Sequence, residues 1–76
     1  MDKLTPGEIK RRARLLALKE RHNLTNQGLA DILPGGKKRT VEPWTNGRRA
    51  IPIVCLWTYY MIIEGVDLKS ELEAER

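Results

Sequence analysis

Two side chains among the 76 residues have the chemistry of a nucleophile or a general base, His22 and Cys55. Neither has the neighbours that catalysis needs. Cys55 sits inside the apolar run Ile53 to Ile63, where a thiol is an inert packing group rather than an activated thiolate. His22, near the end of a basic helical stretch, has no Ser, Cys or Asp beside it in sequence and reads as structural. The two together supply two soft ligands where a structural zinc wants about four, and a single cysteine cannot close an intrachain disulfide. The segment Pro34 to Thr40, PGGKKRT, has the glycines and lysines of a phosphate loop without the G-x-x-x-x-G-K-[ST] spacing. No catalytic residue, metal, cofactor or small-molecule ligand is therefore expected, and the chain is not expected to be an enzyme.

The remaining chemistry is charge. Residues 1–49 carry 12 basic and 5 acidic side chains, and residues 50–76 carry 2 and 5. The net charge of +4 thus conceals a body of +7 and a tail of −3. A basic body points to a polyanionic partner, with nucleic acid ahead of an anionic membrane. No membrane role is expected. The longest uncharged run, Ala50 to Ile63, is 14 residues where a span needs about 20. The opening MDKLTPGEIKRR has charges where a signal peptide has its apolar stretch, so a cytoplasmic protein is expected, and a single thiol suits that reducing compartment.

The elements that must position these charges are short helices. Thr5, Pro6 and Glu8 form a helix start with a capping box, and the first helix should run to about His22. On its wheel Ile9, Ala13, Leu16 and Ala17 fall on one side and Leu15 and Leu18 nearly opposite, so periodicity does not choose the core face. Leu24 is a buried pivot. Thr25 caps a second helix from Asn26 to Leu33, which Pro34-Gly35-Gly36 ends. Lys37 to Arg39 then form an exposed basic loop. A proline in a helix interior costs roughly 3 kcal/mol, so Thr40 is expected to cap a third helix starting at Val41, with Pro43 in the first turn and Asn46-Gly47 as the stop. Pro52 opens a fourth helix ending before Gly65. Of its residues Ile53 to Ile63 only Thr58 is neither apolar nor aromatic. Leu68 and Leu72 mark a short fifth helix in the acidic tail. The domain expected is all-α, with four to five short helices.

The stretch LTNQGLADILPGGKKRTVEPWTNGRRAIP resembles the helix-turn-helix region of the lambda repressor-like (XRE-type) transcription regulators, in a prophage-type subgroup. The likeness rests on Leu24-Thr25-Asn26, Ala30, the glycine turn, Thr40-Val41, Trp44, Gly47 and Arg48-Arg49, and it covers about Thr5 to Gly65. It implies a DNA-binding domain over residues 1–66, with residues 67–76 as an acidic tail or short helix. It also selects Leu15 and Leu18 as the core face of helix 1. The chain departs from the family pattern in three places. The turn is one residue longer, Gly36 stands where an apolar residue plugs the core, and Pro43 interrupts the recognition helix.

The resemblance implies double-stranded DNA as the partner. Lys38, Arg39, Glu42 and Thr45 are the candidates for base edges, with Arg or Lys suited to guanine and Glu to cytosine. Asn26, Gln27, Lys37, Thr40, Asn46, Arg48 and Arg49 are the candidates for phosphates. Val41 and Trp44 should pin the helix to the core, while Arg11, Arg12 and Arg14 either line the DNA flank or form a solvated face. A helix hydrophobic all round is buried all round, so helix 4 is expected to meet a second copy through Trp57, Tyr59, Tyr60 or Met61, unless helix 1 and the tail cover it. A homodimeric repressor of a phage or mobile element, binding half-sites about 34 Å apart, is the leading expectation. A protein-interaction module inhibiting a host factor through helix 4 is the alternative.

Overall fold

The computed structural model describes residues 4–33 and 35–74; Pro34 lies outside them, as do residues 75–76 of the expected tail. Five helices follow one another: α1 Pro6–Arg21, α2 Asn26–Ile32, α3 Lys38–Asn46, α4 Ile53–Glu64 and α5 Lys69–Ala74. There is no strand among the described residues, so the chain is all-α.

α1 begins as its first residues dictate. Thr5 Oγ1 accepts from the Glu8 amide and Glu8 Oε1 accepts from the Thr5 amide, the reciprocal capping box. The Thr5 contacts hold the Glu8 carboxyl below the usual carboxylate range. α1 ends with Asn23 in the left-handed region (φ 52°), the Asn23 amide bonding Glu20 O and the Leu24 amide bonding Lys19 O. That pair of bonds is a Schellman closure, with Asn in the place glycine usually takes.

α1 turns Arg11, Leu15 and Leu18 inward and leaves Ile9 55% exposed. Both leucines are fully buried, removing apolar area from water at roughly 25 cal/mol per Å². They meet Leu29 and Ala30 of α2, Val41 and Trp44 of α3, Ile51 of the following loop, and Leu56, Tyr59 and Tyr60 of α4. Leu24, expected as a buried pivot, is half-buried at the edge of this core.

α2 stops one residue earlier than expected. Leu33 is extended (ψ 135°) because it precedes a proline, whose ring bars the helical conformation to the residue before it. The Gly36 amide returns to Leu33 O, and a Cβ on Gly36 would collide with the Ala30 carbonyl. Glycine at this point therefore lets the turn lie directly on α2.

The start of α3 corrects the expectation built on Pro43. Lys37 is the cap residue, without a side-chain cap bond, and its carbonyl accepts from the Thr40 and Val41 amides. Thr40 is the third helical residue and not the cap. Lys38 and Arg39 are helical rather than part of a loop, and Pro43 lies in the second turn, where it offers no N–H to the Arg39 carbonyl. The earlier start sets Val41 and Trp44 on a face already formed, and both are buried. The helix closes on Gly47 at φ +84°.

α4 lies between its cap residues Pro52 and Gly65 as its punctuation requires. Part of its apolar surface is covered by α5, which brings Leu72 fully into the core and sets Lys69 Nζ 5.2 Å above the Trp57 ring. The Cα radius of gyration is 11.5 Å, against about 11.4 Å expected for a folded domain of this length.

Candidate nucleic-acid interface

α2 and α3 are the most extensively packed helix pair, joined through the Gly35-Gly36 turn. On α3, Arg39, Glu42 and Asn46 stand at i, i+3 and i+7, opposite the buried Val41 and Trp44, and all three are exposed. Lys38 and Thr40 are exposed beside this stripe, and Lys38 Nζ lies 4.0 Å from Glu42 Oε1. An exposed pair at that distance is worth little and leaves both groups available. Lys37 precedes the helix, and Arg48 and Arg49 follow it, all exposed. The turn after α3 is fixed by two bonds, the Arg48 amide to Asn46 Oδ1 and the Arg49 amide to Pro43 O. Lys37, Arg39, Arg48 and Arg49 have no ion-pair partner among the described residues.

Thr45 differs from the other base-edge candidates. It is half-buried on the flank facing α1, its hydroxyl donates to Glu42 O, and its carbonyl accepts from Arg12. Asn46, placed among the phosphate candidates, shares the outward stripe with Arg39 and Glu42. At the start of α2, Gln27 is exposed and donates to Asp31 Oδ1 one turn on. Asn26 is half-buried, and its Oδ1 is buried with no hydrogen-bond partner among the described residues.

The arginines of α1 have contacts within the fold. Arg11, only 8% exposed, donates from Nε to Ile51 O and lies 4.0 Å from Glu8. Arg12 donates from Nε and Nη2 to Thr45 O at 3.1 and 2.8 Å. Arg14 pairs with Glu71 of α5, and Arg21 with Glu64 of α4. His22 also reaches Glu64, 2.9 Å away, so this exposed residue at the end of α1 ties that helix to α4. Arg11 was findable once the phase was known, because it precedes Leu15 and Leu18 at i, i+4 and i+7. Arg12 was not, since its partner is a backbone carbonyl 33 residues away.

The candidates on α4 separate. Tyr59 and Tyr60 are core residues, not partner-facing ones; their hydroxyls donate to Leu29 O and Arg14 O. The physical reason is that an aromatic ring with a polar tip can be buried wherever a carbonyl receives its hydroxyl. Trp57 is half-buried under Lys69, on a shallow groove shared with Ile53, Val54 and Glu73. Met61 is exposed, as are Val54 (59%) and Ile62 (58%), which complete an uncovered apolar face. Cys55 is half-buried, and burial pushes its thiol up, the opposite of an activated nucleophile.

No helix among the described residues is long and apolar enough to cross a membrane, and no cluster there could hold a metal ion. No protein-family model, curated protein or solved structure matches the chain.

Proposed function

We propose that this protein is a sequence-specific, double-stranded DNA-binding transcriptional regulator built on a lambda repressor-like helix-turn-helix. It acts as a homodimeric repressor of a phage or mobile-element operon in the cytoplasm. The observation that carries this reading is the distribution of uncommitted positive charge. The arginines of α1 have partners within the fold, whereas Lys37, Arg39, Arg48 and Arg49 flank or occupy one exposed helix and have none among the described residues. In this reading α3 enters a major groove about 12 Å wide, Arg39, Glu42 and Asn46 face base edges, and Lys37, Arg48 and Arg49 lie along phosphates. Two copies meet through the Val54, Met61 and Ile62 face.

Selection from a randomised duplex library at near-physiological salt tests it. Recovery of an inverted repeat, retained over scrambled DNA as salt rises, is the expected result. Enrichment of no sequence, with binding that vanishes as salt rises, sinks the proposal. The exposed apolar face of α4 favours one second reading, a module that binds another protein there. Arg39→Ala separates the two: it weakens binding to the selected duplex in the first and leaves the protein contact intact in the second.

A further inference from the structure

The two adjacent arginines of α1 grip both ends of the segment that joins α3 to α4. Arg12 donates twice to Thr45 O, one residue before α3 ends, and Arg11 donates to Ile51 O, two residues before α4 begins. Between those two carbonyls lie Asn46 and the Arg48-Arg49 pair. The last carbonyls of a helix lack helical donors and carry the negative end of its dipole, so a guanidinium placed on one of them is favourable on both counts. The contact is shaped as well as charged: a Cβ on Gly47 would stand 3.3 Å from Arg12 Nε, closer than ordinary packing.

α3 has particular need of such a tie. Lys37 caps its amino end without a side-chain bond, and Pro43 removes one helical hydrogen bond from its middle. Its attachment to the core is Val41 and Trp44, both on one face, which resist lifting better than they resist rotation or sliding along the helix axis. The paired hydrogen bonds from Arg12 fix the carboxyl end against both movements.

Resting on the DNA-binding reading above, we propose that Arg12 is a positioning residue for recognition. It touches no DNA. It holds α3 and the turn after it in the register that lets the outward stripe read bases, and its loss degrades discrimination between sequences rather than affinity for DNA in general.

The test compares wild type, Arg12→Met, Arg12→Lys and Arg39→Ala on the selected duplex and a scrambled one across a salt series, at a temperature where circular dichroism shows each variant folded. Arg12→Met is expected to lose about tenfold of the specific-to-nonspecific ratio, the size of one mismatched base pair, with its salt slope on scrambled DNA unchanged. Arg12→Lys, with a donor but no fork, recovers part of it. Hydrogen exchange without DNA should show faster exchange of the Arg49 amide, which bonds Pro43 O, while the middle of α1 is unchanged. Equal loss on both duplexes, with the slope reduced by about one, would make Arg12 a phosphate ligand and overturn the proposal. A lowered unfolding midpoint with the ratio intact would make it merely structural. If wild type itself prefers no sequence, the DNA reading fails and this proposal with it. Preference in wild type that survives in Arg12→Met overturns this proposal alone.

Discussion

The Tyr59 hydroxyl of α4 donates a 3.0 Å hydrogen bond to the carbonyl of Leu29, thirty residues earlier in the last turn of α2. Both residues are wholly buried. This one bond ties α2 to α4, and it satisfies a polar tip that the interior could not otherwise accept. Tyr59→Phe keeps the ring and removes the donor, so the expected loss is about 1 kcal/mol, read as a lower urea midpoint with an unchanged m-value.

The same burial gives Tyr59 a pH signature. Desolvation pushes its phenol above the ordinary value, with Cys55 adding a smaller upward push. At neutral pH the group is protonated in both states, and its contribution is fully present. From about pH 10 upward the unfolded chain releases the proton while the native chain keeps it, so the native state binds more protons and stability falls as pH rises. The urea midpoint should decline as pH rises above about 10, and the decline should be shallower in Tyr59→Phe. Equal slopes in the two proteins would mean that Tyr59 is not the group responsible.

Pro43→Ala should stabilise the protein. Alanine restores an N–H toward the Arg39 carbonyl and removes the ring clash one turn back, a gain of up to ~3 kcal/mol in a helix interior. Against this, proline limits the unfolded chain, which is worth about 1 kcal/mol. A net rise of roughly 1 to 2 kcal/mol, measured as a higher thermal midpoint, is expected. A fall would mean that the half-buried Pro43 ring contributes more by packing than it costs the helix.

How far the sequence carried the fold varies with the range of the signals involved. Local chemistry was decisive where it was self-contained: the Thr5/Glu8 box, the Thr25 cap, Gly47 and Gly65 all stand where their residue types require. It misplaced the start of α3, because avoiding an interior proline is a local preference and burying Val41 together with Trp44 is a tertiary one, and the tertiary term won. The helix-1 wheel was two-sided, so periodicity did not choose Leu15 and Leu18; the resemblance did, and both are fully buried. For the site, the exposed basic run was legible as charge along the chain. Which charges were already committed was legible only in part: Arg11 shares the phase of Leu15 and Leu18, whereas Arg12 bonds to a backbone carbonyl that carries no residue code. The tyrosines of α4 misled for the same reason: their acceptors are the carbonyls of Leu29 and Arg14.

Leu72 tests whether the segment past Gly65 belongs to the domain. It is fully buried, and α5 further fastens itself through Glu71 to Arg14 and Lys69 over Trp57. Leu72→Ala should cost about 2–5 kcal/mol, as truncating a core leucine does. In a domain this small that is a large share of the total stability. A chain ending at residue 66 should be largely unfolded by circular dichroism. Full stability of that shortened chain would show α5 to be an accessory.

Charge and specificity should come apart on the interface itself. Arg48 and Arg49 flank α3 without ion-pair partners among the described residues, and in the proposed complex each neutralises a phosphate. Removing either should weaken binding to selected and scrambled duplexes alike and reduce the slope of log affinity against log salt by about one. Arg39 lies on the outward stripe of the helix. Its loss should cost about 1–3 kcal/mol on the selected duplex alone and relax preference at one base pair, since a bidentate contact to guanine carries that much discrimination. A titration of the three alanine variants against both duplexes, at several salt concentrations, resolves the two behaviours. If Arg39→Ala behaves as Arg48→Ala does, α3 lies along the backbone rather than in the groove, and the base-reading stripe is wrongly assigned.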